Sequence, residues 1–252
     1  MDVKSYLVQV LATGIMWLVP LIPLVLWVAW TMSKAAAVDL KQLMFVAVLV
    51  FVDLACVMAP RFSVFSRLDW NWQGKLLEIA WVLVLTVFPG YSLARLGIKG
   101  HWVPGTLPWL GTAAVIAVFV GLLPWMRGMQ LLPDRETLLF ELTMPSVAEE
   151  FVFRGVFQSL LNETFGRPWR FAGAKFGWGA LITAALFTIA HAAVFGRNLH
   201  LITSVAGAIL AFAAAALLGW VRERAGSVWP CVALHSVVNV TPFLATWIFL
   251  PR

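Results

Sequence analysis

Two adjacent glutamates followed by an arginine stand out within an otherwise apolar stretch, SVAEEFVFRGVF. If the stretch is helical, Glu150 and Arg154 lie four residues apart on one face and can form an ion pair. Glu149 then points about 100° away from Glu150, because of the helical repeat of about 3.6 residues per turn. The pattern predicts one carboxylate neutralised by arginine and one left unpaired. An unpaired carboxylate in a medium of low dielectric constant suits a general base.

Two further pairs occur in apolar stretches later in the sequence. Phe187 and His191 are four residues apart in LFTIAHAAVF, as are His235 and Asn239 in LHSVVNV. Each pair therefore shares one face of a predicted helix. His235 and Asn239 together offer two neutral hydrogen-bond donors at one place, which is what a developing oxyanion needs. A lone histidine in an apolar helix is more often a packed, hydrogen-bonded residue, so the functional interpretation depends on three polar clusters converging from three helices.

The glutamates also allow structural interpretations. Glu149, Glu150 and Arg154 could lock two helices together, although two carboxylates against one arginine leave one charge unexplained. Alternatively, Ser146 and Glu149 fit a capping box directly after Pro145, in which Glu149 would bind backbone N–H groups at a helix start. The sequence leaves these alternatives open.

The composition places these residues in a membrane protein. Of the 252 residues, 62% are hydrophobic and 12% are charged, against roughly 45–50% and about 25% in soluble domains. The net charge of +6 comes from 18 basic and 12 acidic side chains. No basic run exceeds two residues, which favours basic loops beside anionic lipid headgroups and argues against a nucleic-acid partner. Soluble, disordered, coiled-coil and disulfide-scaffold proteins are excluded.

The apolar runs predict the helices that must position the polar residues. A bilayer needs about 20 mostly apolar residues per helix, and the candidate spans are 6–31, 40–59, 76–93, 107–125, 138–161, 176–195, 199–220 and 228–249. We therefore expect an all-α, polytopic membrane protein with a bundle of about eight transmembrane helices and a polar intramembrane site. Residues 1–252 would form a single integral-membrane domain, with the polar motifs inside 146–240. Asp53 and Glu78 lie at comparable depth in the first half.

Taken in order, the motifs E-E-x-x-x-R, F-x-x-x-H and H-x-x-x-N resemble those of the CAAX-protease and bacteriocin-processing family (CPBP, also called Abi). This family includes the prenyl-protein endopeptidases that trim CAAX tails. The stretch GWVRERAGSVWPCVALHSVVN also looks like the last conserved block of the family. The resemblance covers about 90 residues, from Glu149 to Asn239. The preceding part is similar only as hydrophobic helices.

The resemblance implies a glutamate-dependent intramembrane endopeptidase and a role for each catalytic motif residue. Glu149 and His191 would activate the water that attacks the scissile carbonyl. His235 and Asn239 would hold the oxyanion. Because these motifs identify a family but not a substrate, the resemblance leaves open which protein is cut and whether it is prenylated.

The same resemblance implies supporting residues and partners. Glu150, paired with Arg154, and Phe187 would support the site. The expected partners are the lipid bilayer and a membrane-associated peptide or protein substrate. A short, loop-poor chain rich in tryptophan suits a multi-pass protein of a prokaryotic inner (cytoplasmic) membrane.

A zinc ion is the alternative means of activating the attacking water. Glu149, His191 and His235 could supply a zinc site of two histidines and one carboxylate. Asn239 beside His235 is better explained as part of a donor pair than of a ligand shell. We therefore expect no cofactor, with zinc as the alternative.

Two non-proteolytic functions compete with the endopeptidase. The first is a membrane peptide-binding or immunity protein of the same family, which needs no general base. The second is a transporter with protonatable glutamate and histidine residues, which the absence of visible inverted repeats disfavours.

Overall fold

The computed structural model describes residues 2–33, 38–129, 132–195 and 200–249. The protein is mostly helical, at 73%, which confirms the predicted all-α membrane fold. The helices of the first part are α1 (Val3–Leu18), α2 (Ile22–Ser33), α3 (Leu40–Val57), α4 (Trp72–Leu85) and α5 (Leu107–Met126). Short 3-10 turns occur at Val19–Leu21 and Ser63–Phe65.

The second part combines helices with two small hairpins. Helix α6 (Arg135–Glu149) continues through a π-helical segment (Glu150–Phe157) into α7 (Gln158–Phe165), and α8 (Trp178–Ala192), α9 (Val205–Ala225) and α10 (Trp229–Phe249) follow. Strand β1 (Trp169–Phe171) pairs antiparallel with β2 (Ala174–Phe176), and β3 (Ala193–Phe195) pairs with β4 (Leu201–Thr203). Ala172 and Gly173 connect the first hairpin, and both have positive φ angles, as a type I′ turn requires.

Polar side chains determine where several helices begin. Each of Asp39, Asn71, Asp134 and Ser204 accepts a hydrogen bond from a backbone N–H in the first turn of its helix. Such a cap satisfies an N–H group that has no partner inside the helix. At the start of α6, the Thr137 backbone N–H and side chain hold the pKa of the exposed Asp134 below its ordinary value.

Five helical segments in the described ranges are long and apolar enough to cross a membrane. They are Val3–Met32, Leu40–Val57, Leu107–Met126, Val205–Ala225 and Trp229–Phe249. These segments overlap the predicted spans 6–31, 40–59, 107–125, 199–220 and 228–249. The predicted total of eight spans is not confirmed.

The remaining predicted spans differ from the helices for identifiable reasons. Helix α4 has 14 residues, starting at the Asn71 cap and ending before the Pro89–Gly90 turn, so the span predicted at 76–93 is displaced. Helix α8 has 15 residues, because the chain turns into β3 before the predicted span 176–195 ends. The span predicted at 138–161 lies inside the continuous helical run 135–165, which carries many charged residues.

The second hairpin also changes the predicted start of the seventh span. The residues Leu201–Thr203, which belong to the predicted span 199–220, pair with Ala193–Phe195 as a strand. Ser204 then caps α9 by accepting a hydrogen bond from the Gly207 N–H at 3.0 Å. The helix consequently starts at Val205, and its extra length lies at the other end, where Gly226 adopts the left-handed conformation.

The outward faces of the long helices are apolar. Leu26 is 62% exposed, Val115 is 71% exposed and Ile209 is 58% exposed. In each of the five candidate spans, only 22–39% of the most apolar 18-residue stretch is buried inside the protein. A bilayer can cover such a surface, so its apolar side chains are not exposed to water.

The interior polar residues are positioned by close contacts of α10 with α5 and α6, and of α8 with α9. At Gly121 of α5, a Cβ atom would lie 2.7 Å from both the Val238 carbonyl oxygen and the Thr241 Cβ of α10. A glycine therefore lets these two helices approach. On the other side of α10, the Ser236 hydroxyl donates to the Leu142 carbonyl of α6 at 2.8 Å.

Candidate active site

A cavity of about 540 Å³ lies among α4, α5, α6, α8, α9 and α10. Its polar lining side chains are Asn71, Lys75, Glu141, Glu149, His191, His235 and Asn239. Apolar and small residues such as Gly121, Ala211 and Phe243 line other parts of it. The cavity has the size of a typical ligand pocket. It brings together all four residues to which the sequence analysis assigned catalytic roles.

The two glutamates lie at a change of helix type. Glu149 is the last residue of α6, and Glu150 is the first residue of the π-helical segment, in which all eight residues are buried. π-Helical segments are rare and occur frequently at functional sites. The helix begins at Arg135, eleven residues before Ser146, so the capping-box interpretation of Ser146 and Glu149 is wrong.

The two carboxylate oxygens of Glu149 have different neighbours. Its Oε1 lies 2.9 Å from the Lys75 Nζ. Its Oε2 lies 3.4 Å from the His191 Nε2 and 3.9 Å from the His235 Nε2. Within the described part of the chain, this buried Oε2 has no hydrogen-bond partner. One oxygen is therefore held by a cation, and the other is available to a molecule in the cavity.

Lys75 is a cavity-lining residue that the sequence patterns did not reveal. It lies in the first turn of α4, and its Nζ also contacts the Glu78 Oε2 at 2.8 Å. The prediction of an unpaired Glu149 is therefore wrong, because Lys75 neutralises part of its charge. The spacing of Lys75 and Glu78, three residues apart on one helix face, is the signal that could have revealed the cation.

Glu150 connects Arg154 to His235. Its Oε2 lies 3.4 Å from the Arg154 Nε, and its Oε1 lies 2.9 Å from the His235 Nδ1. Glu150 and Arg154 have no exposed surface, and the guanidinium makes no hydrogen bond among the described residues. Arg154 also lies over the Phe187 ring, with 5.2 Å from its Cζ to the ring centroid. The ion pair expected from the i, i+4 spacing forms, and it is fully buried.

Phe187 is packed between the two histidines. Its ring stacks on His191 at a centroid distance of 3.9 Å and meets the His235 ring edge-on at 6.0 Å. The His191 Nδ1 hydrogen-bonds to the Phe187 backbone carbonyl at 2.9 Å. Phe187 is itself only 2% exposed. The buried aromatic residue therefore fixes the direction in which both imidazole rings present their Nε2 atoms.

The hydrogen-bond partners determine which nitrogen carries the proton in each neutral ring. A carbonyl oxygen only accepts, so the His191 Nδ1 is the donor and its Nε2 presents a lone pair towards Glu149. An ionised carboxylate also only accepts, so the His235 Nδ1 donates to Glu150. The predicted role of neutral His235 as a donor therefore needs a correction. Its Nε2 can donate into the cavity only when the ring is an imidazolium.

Asn239 lies one helical turn after His235 and lines the same cavity. Its amide carries two N–H donors. Among the described residues it makes no hydrogen bond to another side chain or to the backbone. The amide is thus free to bind a carbonyl oxygen in the cavity.

The donor atoms do not fit a metal ion. Among the residues that the structure describes, no group of three His, Cys, Asp or Glu side chains is arranged to hold one. In addition, the Lys75 ammonium already occupies one side of Glu149, and a divalent cation nearby would be repelled by it. The absence of a cofactor remains a prediction that a metal analysis can test.

Three other ionisable residues, Asp53, His101 and His200, do not line the cavity. Asp53 of α3 is buried and accepts a hydrogen bond from the Trp81 Nε1 of α4 at 3.0 Å, so it is a buried polar contact. His101 and His200 are exposed and lie outside helices and strands.

Comparison with known protein families confirms the predicted resemblance. Residues 136–241 match the family model described as Type II CAAX prenyl endopeptidase Rce1-like. The matched segment contains all seven residues named from the motifs, whereas Lys75 lies outside it. Comparisons with curated proteins and with solved structures found no match. The family match and the apolar helices together support an integral membrane protease.

Proposed function

We propose that this protein is an intramembrane endopeptidase in which Glu149 and His191 activate a water molecule. The observation that carries the proposal is the buried Glu149 Oε2, which has no hydrogen-bond partner in the described ranges and lies 3.4 Å from the His191 Nε2. Both atoms present lone pairs to the cavity. A water molecule between them would donate one hydrogen bond to each, which raises the electron density on its oxygen.

The water oxygen then attacks the scissile carbonyl carbon, and its proton passes to Glu149. When the tetrahedral intermediate collapses, the C–N bond breaks and the proton moves from Glu149 to the leaving nitrogen. The products are a new carboxyl terminus and a new amino terminus. Lys75, held 2.9 Å from the other oxygen of Glu149, keeps the carboxylate oriented through both proton transfers.

The oxyanion of the tetrahedral intermediate would be held by Asn239 and His235. Because the His235 Nδ1 hydrogen-bonds to Glu150 at 2.9 Å, the ring must be an imidazolium to donate from its Nε2. The buried Glu150 carboxylate stabilises that charged form. A charged donor binds an oxyanion more strongly than a neutral one does.

The proposed substrate is a membrane-associated protein or peptide. The cavity lies among helices whose outer faces are apolar, so a peptide that reaches it comes from the membrane or its surface. We further propose that the protein works in a prokaryotic inner (cytoplasmic) membrane.

The test compares protein amino termini in membranes from cells that express the wild type, Glu149→Gln or Glu163→Gln. Glu163 is a matched control, because it is a half-exposed glutamate paired with Arg95 and does not line the cavity. We expect new termini in membrane proteins with the wild type and the control. Glu149→Gln should lose them, since removal of a general base lowers rates about 10²–10⁴-fold. Identical termini in wild type and Glu149→Gln would contradict the proposal.

A further inference from the structure

Glu141 lines the same cavity as Glu149 and has no role in the mechanism above. It precedes Glu149 by eight residues in α6. At the helical rise of 1.5 Å per residue, the two positions are about 12 Å apart along the helix axis. Glu141 is therefore closer to the start of α6, where the exposed Asp134 caps the helix.

Within the described ranges no cationic side chain contacts the carboxylate of Glu141, and Lys75 attracts it only at longer range. Lys75 contacts Glu78 and Glu149, and Arg154 contacts Glu150. Within the described residues Glu141 forms no ion pair or hydrogen bond. A carboxylate in an apolar environment is costly unless it is paired. Lys75 and Arg154 are already paired with other carboxylates, so a cationic group of a bound molecule would be a direct counter-ion for Glu141.

Two neighbouring features strengthen the preference for a cation. Pro145 has no N–H, so the Glu141 carbonyl oxygen lacks the hydrogen bond that a residue four positions later normally donates to it in a helix. Trp70 also lines the cavity. Its Nε1 donates to the Thr137 hydroxyl at 2.9 Å, and its ring stacks on Phe140 at 5.2 Å. A carboxylate and a fixed indole in one wall are features that bind a cationic side chain.

We propose that Glu141 forms a binding subsite for a lysine or arginine side chain of the substrate, about three to four residues from the scissile bond. The spacing follows from the separation of about 12 Å and an extended-chain rise of about 3.3 Å per residue. The inference rests on the proposed function, since it places the scissile bond at Glu149. It defines the substrate class as a membrane peptide with a basic residue flanking its apolar segment, where basic residues are common.

The test measures binding separately from cleavage. The probes are two fluorescein-labelled peptides of twelve residues, built from leucine and alanine, with a single lysine or its uncharged analogue norleucine four residues from the centre. Fluorescence anisotropy in detergent gives their affinities for the full-length Glu149→Gln protein, which retains the peptide. We expect the lysine peptide to bind about tenfold more tightly, as a charge-assisted contact would give.

Substitutions of Glu141 test whether this residue causes the preference for the lysine peptide. Adding Glu141→Gln should bring the affinity ratio of the two peptides close to one, and Glu141→Lys should favour a peptide with glutamate in place of lysine. Adding Glu163→Gln should leave the tenfold ratio intact. Equal affinities in the parent protein, no binding of the lysine peptide, or a preference that survives Glu141→Gln would each overturn the inference. A lysine peptide that binds through Glu141 yet is never cleaved by the wild type would contradict the proposed function instead.

Discussion

The Lys75 Nζ lies 2.9 Å from the Glu149 Oε1, which joins α4 to the end of α6 inside the protein. The same ammonium lies 2.8 Å from the Glu78 Oε2. A helix outside the matched family segment therefore supplies a charge directly to the proposed catalytic carboxylate. The contact fixes one oxygen of Glu149, so the other faces the histidines.

We predict that Lys75→Met lowers kcat at least about tenfold with a smaller change in KM. The ammonium orients the proposed base rather than binding substrate, and misplacing a catalytic group costs rate. The variant also leaves two buried carboxylates without a cation, which costs about 3–5 kcal/mol of stability. Cleavage kinetics and thermal unfolding in detergent measure the two effects.

A second variant separates orientation from folding. Lys75→Met/Glu78→Gln removes one of the two unpaired charges, so it should recover part of the stability while kcat stays low. Lys75→Arg keeps a cation and should retain more activity than Lys75→Met. If the double variant recovers kcat along with stability, Lys75 is purely structural.

We also predict that Glu150→Gln lowers both stability and activity. It leaves the Arg154 guanidinium, which has no exposed surface, without its counter-ion, and this should cost about 3–5 kcal/mol. It also removes the negative charge that stabilises the His235 imidazolium. Glu149→Gln should destabilise the protein less than Glu150→Gln does, because the Lys75 ammonium keeps its contact with Glu78.

The informative comparison is the double variant Glu150→Gln/Arg154→Met. It removes both charges, so a coupling free energy of more than about 0.5 kcal/mol between the two sites is expected in unfolding measurements. Strictly additive losses would mean that the two buried side chains do not act as an ion pair.

Local patterns predict much of this site. The pairing of Glu150 with Arg154 follows from their spacing alone, and the histidines of α8 and α10 face the same cavity as their motifs imply. The five long apolar segments were recognisable because a bilayer demands a minimum length of apolar helix. Each of these features depends on residues that are near one another in sequence.

The features that could not be predicted depend on longer-range contacts or on exact helix boundaries. Lys75 falls just outside the predicted span 76–93, whereas the Asn71 cap starts α4 earlier and places Lys75 in its first turn. The Nδ1 proton of His235 depends on Glu150, 85 residues away in sequence. The π-helical segment and the hairpin of β3 and β4 are too short to leave a periodic pattern, since the first has eight residues and each strand has three.

A glycine contact in the cavity wall provides a stability prediction. A Cβ at Gly121 would lie 2.7 Å from the Val238 carbonyl oxygen, whereas nothing lies within 4 Å of a Cβ at Gly111 in the same helix. Gly121→Ala should therefore destabilise the protein by about 1–3 kcal/mol through overpacking. Gly111→Ala should be neutral or stabilising by up to about 1 kcal/mol, because alanine favours helix.

Thermal unfolding of the two alanine variants in the same detergent measures the difference. Because α10 carries His235 and Asn239, Gly121→Ala should also lower activity, and Gly111→Ala should not. Equal unfolding temperatures would show that α5 and α10 do not approach as closely as the glycine contact implies.

The last prediction separates glutamate chemistry from metal chemistry. We expect purified wild-type protein to contain far less than one equivalent of zinc, and its activity to survive dialysis against a strong chelator. In the proposed mechanism, the acidity of the attacking water comes from Glu149 and His191, whereas a metal-bound water owes its acidity to the ion. Elemental analysis and turnover before and after dialysis measure both quantities.

The variants His235→Ala and Asn239→Ala make the same distinction independently. As oxyanion donors, each should lower turnover about 10²–10³-fold with little change in substrate affinity. As a zinc ligand, His235 would instead lose metal and activity together, and Asn239 would matter less. Stoichiometric zinc in the wild type that disappears in His235→Ala would overturn the metal-free mechanism. Folded, slow variants of a zinc-free protein would support it, because both side chains would then act on the intermediate itself.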